Sequence, residues 1–279
     1  MITNPNVKIN LGLNVLRKRE DGFHDLETLF VPYFNISDTL EIVVGDDYSR
    51  TSAAIFGKYA PEMIAQGISE DGKLMITIAR KEGVDWDPLK DLTAKAYYIL
   101  SEDFDMPPVK IFLEKNSPVG AGLGGGSADA AFALKMLNEL CVLELDEARL
   151  AGYASRLGSD CAFFIYNRPM IGEGRGEVLS EYPICLDGYD LQVLTPEGVS
   201  VSTKDAYGGI RPHLPEVPLK EALARPVEEW DGILVNDFEE TVFAKYPELA
   251  AIKRSLYDSG AAYASMSGSG SALFALYKA

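Results

Sequence analysis

Residues 118–131 read PVGAGLGGGSADAA, and five glycines fall within the seven positions from Gly120 to Gly126. The run follows a strand-like segment over 109–113 and leads into a helical pattern over 130–140. Because glycine has no Cβ, such a loop can approach a ligand with bare backbone amides. A helix that begins there adds unpaired N–H groups and the positive end of its dipole. The stretch therefore predicts a phosphate-binding loop and a nucleotide-handling enzyme.

Two general phosphate-loop patterns compete for this stretch. The P-loop pattern ends in Gly-Lys-Ser/Thr, whereas residues 126–128 here read GSA, so that pattern fails. The dinucleotide pattern GxGxxG matches formally from Gly120 to Gly125. Its usual acidic partner would be Glu144 or Asp146, which fall between two helical patterns rather than at the end of a second strand. A glycine loop without a ligand is the remaining alternative, and the anchoring of the loop between strand and helix disfavours it.

Length and charge limit the function classes. A chain of 279 residues suggests one large or two modest domains, and a net charge of −16 argues against nucleic acid or an anionic membrane as partner. The three cysteines have neither metal-ligand spacing nor an even count, so no disulfide scaffold is expected. The first residues resemble no signal peptide, and no segment is apolar enough to span a bilayer. We expect a cytoplasmic enzyme that is a monomer or a weak homodimer.

Hydrophobic periodicity predicts an α+β layout with a boundary near residues 155–165. The alternation over 7–15 indicates a half-buried strand whose polar face carries Lys8 and Asn10 side by side. The proline-rich segment 196–226 is predicted to be irregular. Further strands are predicted near 26–34, 39–44, 74–79, 109–113, 162–166 and 191–194, and helices over 93–101, 130–140, 146–157, from 236, and over 247–258.

Three side chains are candidates for chemistry on a phosphate. Asp160 follows a predicted helix and precedes a predicted buried strand, where its carboxylate could act as a base; helix capping or a turn is the commoner role of such an aspartate. Lys8 could keep that carboxylate ionised and stabilise phosphoryl charge, or be an ordinary surface lysine. His24, next to Phe23 after a turn, could read the polar edge of a base that stacks on the phenyl ring, or be a surface histidine.

The glycine stretch, read as Pro-x-Gly-x-Gly-Leu-Gly-Gly-Gly-Ser-x-Asp-Ala-Ala, resembles the signature loop of the GHMP small-molecule kinases. The similarity extends over nearly the whole chain. It is strongest to the members that phosphorylate a cytidine diphosphate sugar alcohol in non-mevalonate isoprenoid synthesis. The further segments that carry the resemblance are 8–11 (KINL), 21–24 (DGFH), 158–160 (GSD), 172–176 (GEGRG), 235–239 (VNDFE) and 266–271 (MSGSGS).

The resemblance implies a two-domain α+β fold, with an ATP-binding domain over 1–158 similar to ribosomal protein S5 domain 2 and a ferredoxin-like domain over 159–279. It implies ATP and Mg²⁺ as cofactors, Asp160 as the base for the 2-hydroxyl of the substrate and Lys8 beside it. The residues implied to hold ATP are Pro118, Gly120, Gly122, Leu123, Gly124, Gly125, Gly126 and Ser127, the serine lying near the phosphates and magnesium. Those implied to bind the substrate are Asn10, Phe23, His24, Ser267, Gly268, Ser269 and Gly270.

Three departures from the family pattern stand out. Phe23 replaces the usual tyrosine, so stacking is kept while a hydroxyl hydrogen bond is lost. Ala162 replaces a proline after the proposed base, and the sequence stops at Ala279, soon after the last glycine loop. Two rivals stay open: another GHMP kinase, acting on a mevalonate derivative, homoserine or a sugar, and a non-catalytic nucleotide-binding protein.

Overall fold

The computed structural model describes residues 1–45 and 49–279. Residue contacts divide the chain into two units that are each discontinuous in sequence. The first unit comprises residues 1–7, 33–119 and 124–167, and the second comprises 8–32, 120–123 and 168–279. The domain boundary expected between residues 158 and 159 stays a prediction.

The first unit contains a five-stranded sheet. Its strands are β1 (Ile2–Thr3), β4 (Thr39–Val44), β5 (Ile64–Ile68), β6 (Leu74–Arg80) and β7 (Val109–Lys115). They are ordered β1-β4-β7-β6-β5; β6 and β7 run parallel, and the other neighbours are antiparallel. Because β7 ends at Lys115, the glycine loop follows directly after this strand of the sheet.

Helices accompany this sheet. They are α1 (Thr51–Lys58), α2 (Leu92–Ser101), α3 (Gly125–Leu140), α4 (Glu147–Leu157) and α5 (Cys161–Tyr166). Aspartate side chains cap two of them: Asp91 accepts from the Thr93 amide of α2, and Asp146 accepts from the Arg149 amide of α4. Helices α2 and α3 pack on each other, with α2 against β6 and α3 against β4. The helices expected over 93–101, 130–140 and 146–157 are confirmed.

The strand expected over 162–166 is wrong, because the structure has helix α5 there. Five of its six residues are buried, and α5 packs on α3 and α4. A short apolar run without alternation does not distinguish a buried strand from a buried helix. Asp160 consequently lies at the N-cap position of a short helix, with φ −88° and ψ −11°, rather than before a strand.

The second unit contains two sheets. The strands of the first are β2 (Asn6–Lys18), β3 (His24–Ser37), β8 (Met170–Gly174) and β9 (Val178–Glu181), in that order; those of the second are β10 (Tyr189–Leu194), β11 (Tyr263–Met266) and β12 (Leu273–Lys278), in the order β10-β12-β11. The first two residues of β2 and the last five of β3 belong to the first unit. The strands predicted around residues 7–15, 26–34 and 191–194 are confirmed.

The remaining helices lie in the second unit. They are α6 (Thr203–Gly208), α7 (Leu219–Leu223), α8 (Phe238–Lys245) and α9 (Pro247–Asp258). Two of them, α6 and α7, interrupt the segment that was expected to be irregular. Side chains from β2, α6, α8, α9, β11 and β12 form one hydrophobic cluster that includes Leu13, Phe238 and Leu273. No helix in the described part of the chain is long and apolar enough to cross a membrane.

Strand β2 is not half-buried as expected. All of its residues from Asn6 to Val15 are buried, including Lys8 and Asn10, each with 2% of its surface exposed. A buried ammonium group needs polar partners, since its desolvation is costly. The polar positions of β2 are therefore those of a site and not of a solvated surface.

Candidate active site

Lys8 is held against the glycine loop within the second unit. Its Nζ donates to Asn10 Oδ1 at 2.6 Å and to the Gly122 carbonyl at 2.7 Å, and it lies 5.7 Å from the centre of the Phe30 ring. Asn10 in turn donates through Nδ2 to Thr28 Oγ1 at 3.0 Å. These bonds fix a positive charge at the loop, which suits a cation that must face a phosphoryl group.

Two glycine-rich turns meet backbone to backbone at Gly122. The turn that joins β11 to β12 carries Ser267, whose Oγ donates to the Gly122 carbonyl at 3.0 Å, and a Cβ on Gly122 would lie 2.1 Å from the Ser267 carbonyl oxygen. Gly122 has φ +78°, and Gly268 has φ +56° with its own would-be Cβ 3.0 Å from the Gly122 oxygen. A side chain at Gly122 would force the backbone to move, and one at Gly268 would be strained by its φ and by the nearby Gly122 oxygen.

Backbone bonds hold the rest of this loop segment. The Lys8 amide donates to the Leu123 carbonyl at 2.9 Å, and the Ala272 amide donates to the Ala121 carbonyl at 3.0 Å. Of the predicted site residues, the second unit thus brings together Lys8, Asn10, Gly122, Leu123, Ser267 and Gly268; Ser269 and Gly270 complete the same β11–β12 turn.

The predicted ATP-binding residues of the first unit lie at the start of α3. Gly124 is the N-cap residue with φ +72°, and no side chain in the described structure caps this helix. Gly125, Gly126 and Ser127 form the first turn, whose backbone N–H groups are the usual ligands of a phosphate at a helix N-terminus. Pro118 precedes the loop and is half-buried.

A buried ionic cluster supports this helix start. Lys115 Nζ donates to Asp38 at 2.6 Å, to Asp129 at 2.7 Å and to Ser117 Oγ at 3.0 Å. Asp38 also accepts from both the amide and the hydroxyl of Ser117. A Cβ on Gly125 would lie 2.3 Å from Ser117 Oγ, so the cluster leaves no room for a side chain at the first residue of α3. Lys115 itself is only 6% exposed, so its charge acts within this cluster and not at the surface.

The two carboxylates of the cluster differ in pKa. Burial alone would raise the pKa of Asp38, but Lys115 and the hydrogen bonds from Ser117 outweigh it and hold the pKa below its usual value. Burial raises the pKa of Asp129 well above its usual value in spite of Lys115. Its Oδ1 is buried without a hydrogen-bond partner in the described structure. Of the two carboxylates that pair with Lys115, Asp129 therefore takes up a proton at a higher pH than Asp38 does.

Asp160 lies in the turn between α4 and α5, next to the start of α3. A Cβ on the preceding Gly158 would be 3.2 Å from Cys161 Sγ and 4.0 Å from Ser127 Oγ. Burial raises the pKa of Cys161 to about 12, so this thiol stays protonated beside Ser127. The Gly158–Asp160 turn and the last residue of the glycine loop are thus neighbours within the first unit.

Phe23 and His24, at the beginning of β3, each contact one side chain from a distant part of the second unit. A turn with Gly22 at φ +87° precedes Phe23, which is 52% exposed, and the guanidinium of Arg175 lies 4.7 Å from its ring centre. The His24 ring stacks on Tyr207 with centroids 4.8 Å apart and planes at 25°. Burial, followed by the charge of Lys18, lowers the pKa of His24, which favours the neutral imidazole.

Sequence reasoning did not identify Tyr207 as the partner of His24, nor Arg175 as the partner of Phe23. Tyr207 lies on α6, in the segment that was expected to be irregular, so no periodicity marked it. The only sequence signal was an aromatic side chain in a proline-rich segment, which is too weak to identify a partner for His24. Among the described residues, no group of three or more His, Cys, Asp or Glu side chains is arranged to hold a metal ion.

The fold agrees with what comparison with known proteins shows. Residues 91–168 match the GHMP kinases N terminal domain, and residues 219–279 match the GHMP kinases C terminal domain. A solved homoserine kinase from Cytophaga hutchinsonii shares the fold, with a TM-score of 0.66 at 17% identity, covering 99% of this chain and 86% of that one. The two family matches, together with the shared fold, define the class of this protein as a GHMP kinase.

Relatives of higher sequence identity indicate which group of GHMP kinases the chain belongs to. A protein of Bacteroides fragilis named 4-diphosphocytidyl-2-C-methyl-D-erythritol kinase is 46% identical over 277 residues, which are 99% of this chain and 92% of the relative. A solved 4-(cytidine 5'-diphospho)-2C-methyl-D-erythritol kinase has a TM-score of 0.73 at 30% identity and covers 99% of this chain and 90% of its own. The chain belongs to the family of 4-diphosphocytidyl-2-C-methyl-D-erythritol kinases.

The close contact at Gly122 predicts a functional effect of Gly122→Ala. The added Cβ must displace the Ser267 carbonyl, so we expect the Kd for ATP to rise about tenfold or more, measured by calorimetric titration. Gly72→Ala is the matched control, because Gly72 has φ +71° and open space around its would-be Cβ. It should lower stability by about 1 kcal/mol and leave the Kd unchanged. Equal Kd values for the two variants would contradict this account of the loop.

The cluster beneath α3 predicts opposite pH behaviour for two Asp→Asn substitutions. Because the pKa of Asp129 is raised, its contribution to stability falls as pH rises above the unfolded-state pKa of about 3.9. The Tm of Asp129→Asn minus the Tm of wild type should therefore increase from pH 5 to pH 8. The lowered pKa of Asp38 means that its contribution is complete above that value, so Asp38→Asn should be destabilised equally across the same range. Two flat difference curves in scanning calorimetry would show that Asp129 is ionised.

Proposed function

We propose that the protein transfers the γ-phosphoryl group of ATP to the 2-hydroxyl of 4-diphosphocytidyl-2-C-methyl-D-erythritol. The observation that carries the proposal is the bond from Lys8 Nζ to the Gly122 carbonyl, which fixes a buried cation to the glycine loop. Phosphoryl transfer depends on positioning and electrostatic stabilisation, and a preorganised cation at the loop supplies both. The names of the full-length relatives support the choice of acceptor.

Each half of the glycine loop has a role in holding ATP. In the first unit, the uncapped amides of Gly125, Gly126 and Ser127 offer N–H donors to phosphate oxygens. In the second, Gly120 and Gly122 have φ of +73° and +78°, conformations that let backbone amides approach an anion. The adenine contacts form no part of this proposal.

Asp160 is the proposed base. As the acceptor oxygen bonds to phosphorus and the bond from phosphorus to the β–γ bridging oxygen breaks, ADP leaves and the hydroxyl proton passes to the Asp160 carboxylate. Lys8 stabilises the negative charge on the transferred group. The position of Gly158 beside Ser127 supports this assignment, because the turn that carries Asp160 adjoins the residue that ends the glycine loop.

Magnesium is proposed as the metal. Mg²⁺ typically keeps several waters, takes phosphate oxygens from the nucleotide and needs only one or two protein oxygens. Ser127, half-buried in the first turn of α3, supplies a hydroxyl oxygen of that kind. When bound, the ion would neutralise charge on the phosphates. A cytoplasmic location and a monomeric or weakly dimeric state stay predictions from the sequence.

Phe23 and His24, with Tyr207 behind the histidine, form the proposed cytosine site. A neutral imidazole has one donor and one acceptor nitrogen, as the polar edge of cytosine requires of its partner. Phe23 offers an exposed ring for stacking, and Tyr207 supports His24 from its face. The turn from Ser267 to Gly270 is proposed to lie near the diphosphate of the substrate, where its backbone amides could face the anion.

The substrate assignment is tested by ATP-dependent ADP release with the cytidine compound, mevalonate, phosphomevalonate, homoserine and galactose as acceptors, each with and without Mg²⁺. We expect magnesium-dependent turnover with the cytidine compound only. Turnover with another acceptor would keep the kinase chemistry and overturn the substrate. ATP binding without turnover of any acceptor would favour a nucleotide-binding protein.

Asp160→Asn tests the base. Removal of a general base costs roughly 10²–10⁴-fold in rate, so we expect kcat to fall in that range while the KM for ATP stays within about threefold. Asp105→Asn is the control, because the Asp105 side chain is 99% exposed and pairs with Lys73 at the surface. An Asp160→Asn variant with the kcat of wild type would refute the assignment.

His24→Ala tests the cytosine contact. Loss of a hydrogen bond and of the stacked ring should raise the KM for the cytidine acceptor about tenfold or more, with little change in the KM for ATP. His213→Ala is the matched control, since the His213 side chain is 56% exposed. If both KM values rose equally in His24→Ala, the residue would have a general structural role instead.

A further inference from the structure

The segment 235–239 (VNDFE), which the proposed function does not use, connects β2 to the β11–β12 turn within the second unit. Its backbone pairs with β2 at Leu13: the Leu13 amide donates to the Val235 carbonyl at 2.8 Å, and the Asp237 amide donates to the Leu13 carbonyl at 2.9 Å. Leu13 lies three positions beyond Asn10 on the strand that carries Lys8. The segment is therefore fixed to the strand that carries the proposed catalytic cation.

Asn236, at the centre of this segment, holds both carbonyls that flank Ser267. Its Nδ2 donates to the Met266 carbonyl at 2.7 Å and to the Gly268 carbonyl at 2.9 Å, and its Oδ1 accepts from the Phe238 amide at 3.0 Å. Both donor hydrogens of the amide are thus used, and the side chain is 3% exposed. A two-donor clamp of this kind sets the path of the chain on either side of one residue.

The clamped residue is the one that touches the glycine loop. Ser267 Oγ lies 3.0 Å from the Gly122 carbonyl and 3.5 Å from Asn10 Oδ1, and each of these oxygens accepts a hydrogen bond from Lys8 Nζ. The Ser267 amide is fixed independently, by the Ala272 carbonyl at 2.8 Å. A shift of Ser267 would thus disturb two acceptors of the ammonium group at once.

We propose that Asn236 is a positioning residue for phosphoryl transfer, which sets Ser267 against Gly122 and thereby fixes Lys8 at the glycine loop. The proposal rests on the proposed function for its kinetic consequence. Its structural core, the connection from Asn236 through Ser267 to Gly122, does not depend on the identity of the acceptor.

The kinetic test compares Asn236→Ser, Ser267→Ala and the double variant at saturating ATP and cytidine acceptor. We expect each single substitution to lower kcat about tenfold, and the double variant to have the kcat of the slower single variant, because both act through the same contact. A double variant that loses the product of the two single effects, or an Asn236→Ser variant with the kcat of wild type, would overturn the proposal.

Asn138→Ser is the matched control. Asn138 braces another loop in the same manner, donating to the Leu145 carbonyl at 3.0 Å and accepting from the Leu145 amide at 2.9 Å. The Asn138→Ser variant should have a lowered Tm, as Asn236→Ser does, and the kcat of wild type. An equal loss of kcat in both asparagine variants would indicate general destabilisation and count against a positioning role.

A second measurement keeps the proposal testable without turnover and in any variant that is only partly stable. Hydrogen exchange on the free protein should be faster in Asn236→Ser than in wild type for peptides over 266–272 and also over 119–124. Faster exchange over 266–272 alone would refute the connection to the loop. Absence of turnover in the wild-type protein, with the expected exchange pattern, would instead overturn the proposed function and leave the connection standing.

Discussion

The close approach of two glycine turns, at Gly122 and at Ser267–Gly268, is the constraint on which the second unit depends. Where a Cβ would lie 2.1 Å from a carbonyl oxygen, no other residue can be accommodated without moving the backbone. The carbonyl that this contact brings forward accepts from both Lys8 and Ser267. A backbone oxygen is therefore one of the groups that hold the buried ammonium in place.

The start of α3 in the first unit follows a different principle. Lys115, Asp38 and Asp129 are almost completely excluded from solvent, and Lys115 pairs with both carboxyl groups. Removing one member of such a cluster exposes the others to an uncompensated burial cost, so the cluster specifies one arrangement of the chain. The sequence places a single lysine at the end of β7 and a small residue at Gly125 above it. The paired charges of this cluster thus give a rigid support to α3, whose first-turn amides are the ones proposed to bind phosphate.

Much of this could be predicted from the sequence, and the failures have identifiable causes. Long periodic segments such as α3 and β2 were found, because their hydrophobic spacing and glycine or aspartate boundaries are local signals. The short helix α5 was not, because six apolar residues carry no period. Lys8 was recognised on its strand but expected at a surface, since the partners that bury it, Gly122 and Ser267, are distant in sequence. Tyr207 and Asn236 depend on the same kind of long-range pairing, which one sequence does not display.

The discontinuity of the two units has a consequence for biosynthesis. Strand β3 pairs with β8, and β2 pairs at Leu13 with the segment around Asn236, so these early strands find their partners only in residues made after the first unit is complete. One edge of β3 must therefore wait, unpaired, while the first unit is synthesised. A nascent chain of this design is most exposed to aggregation late in translation, and its second unit cannot be obtained by cutting the gene at any single point.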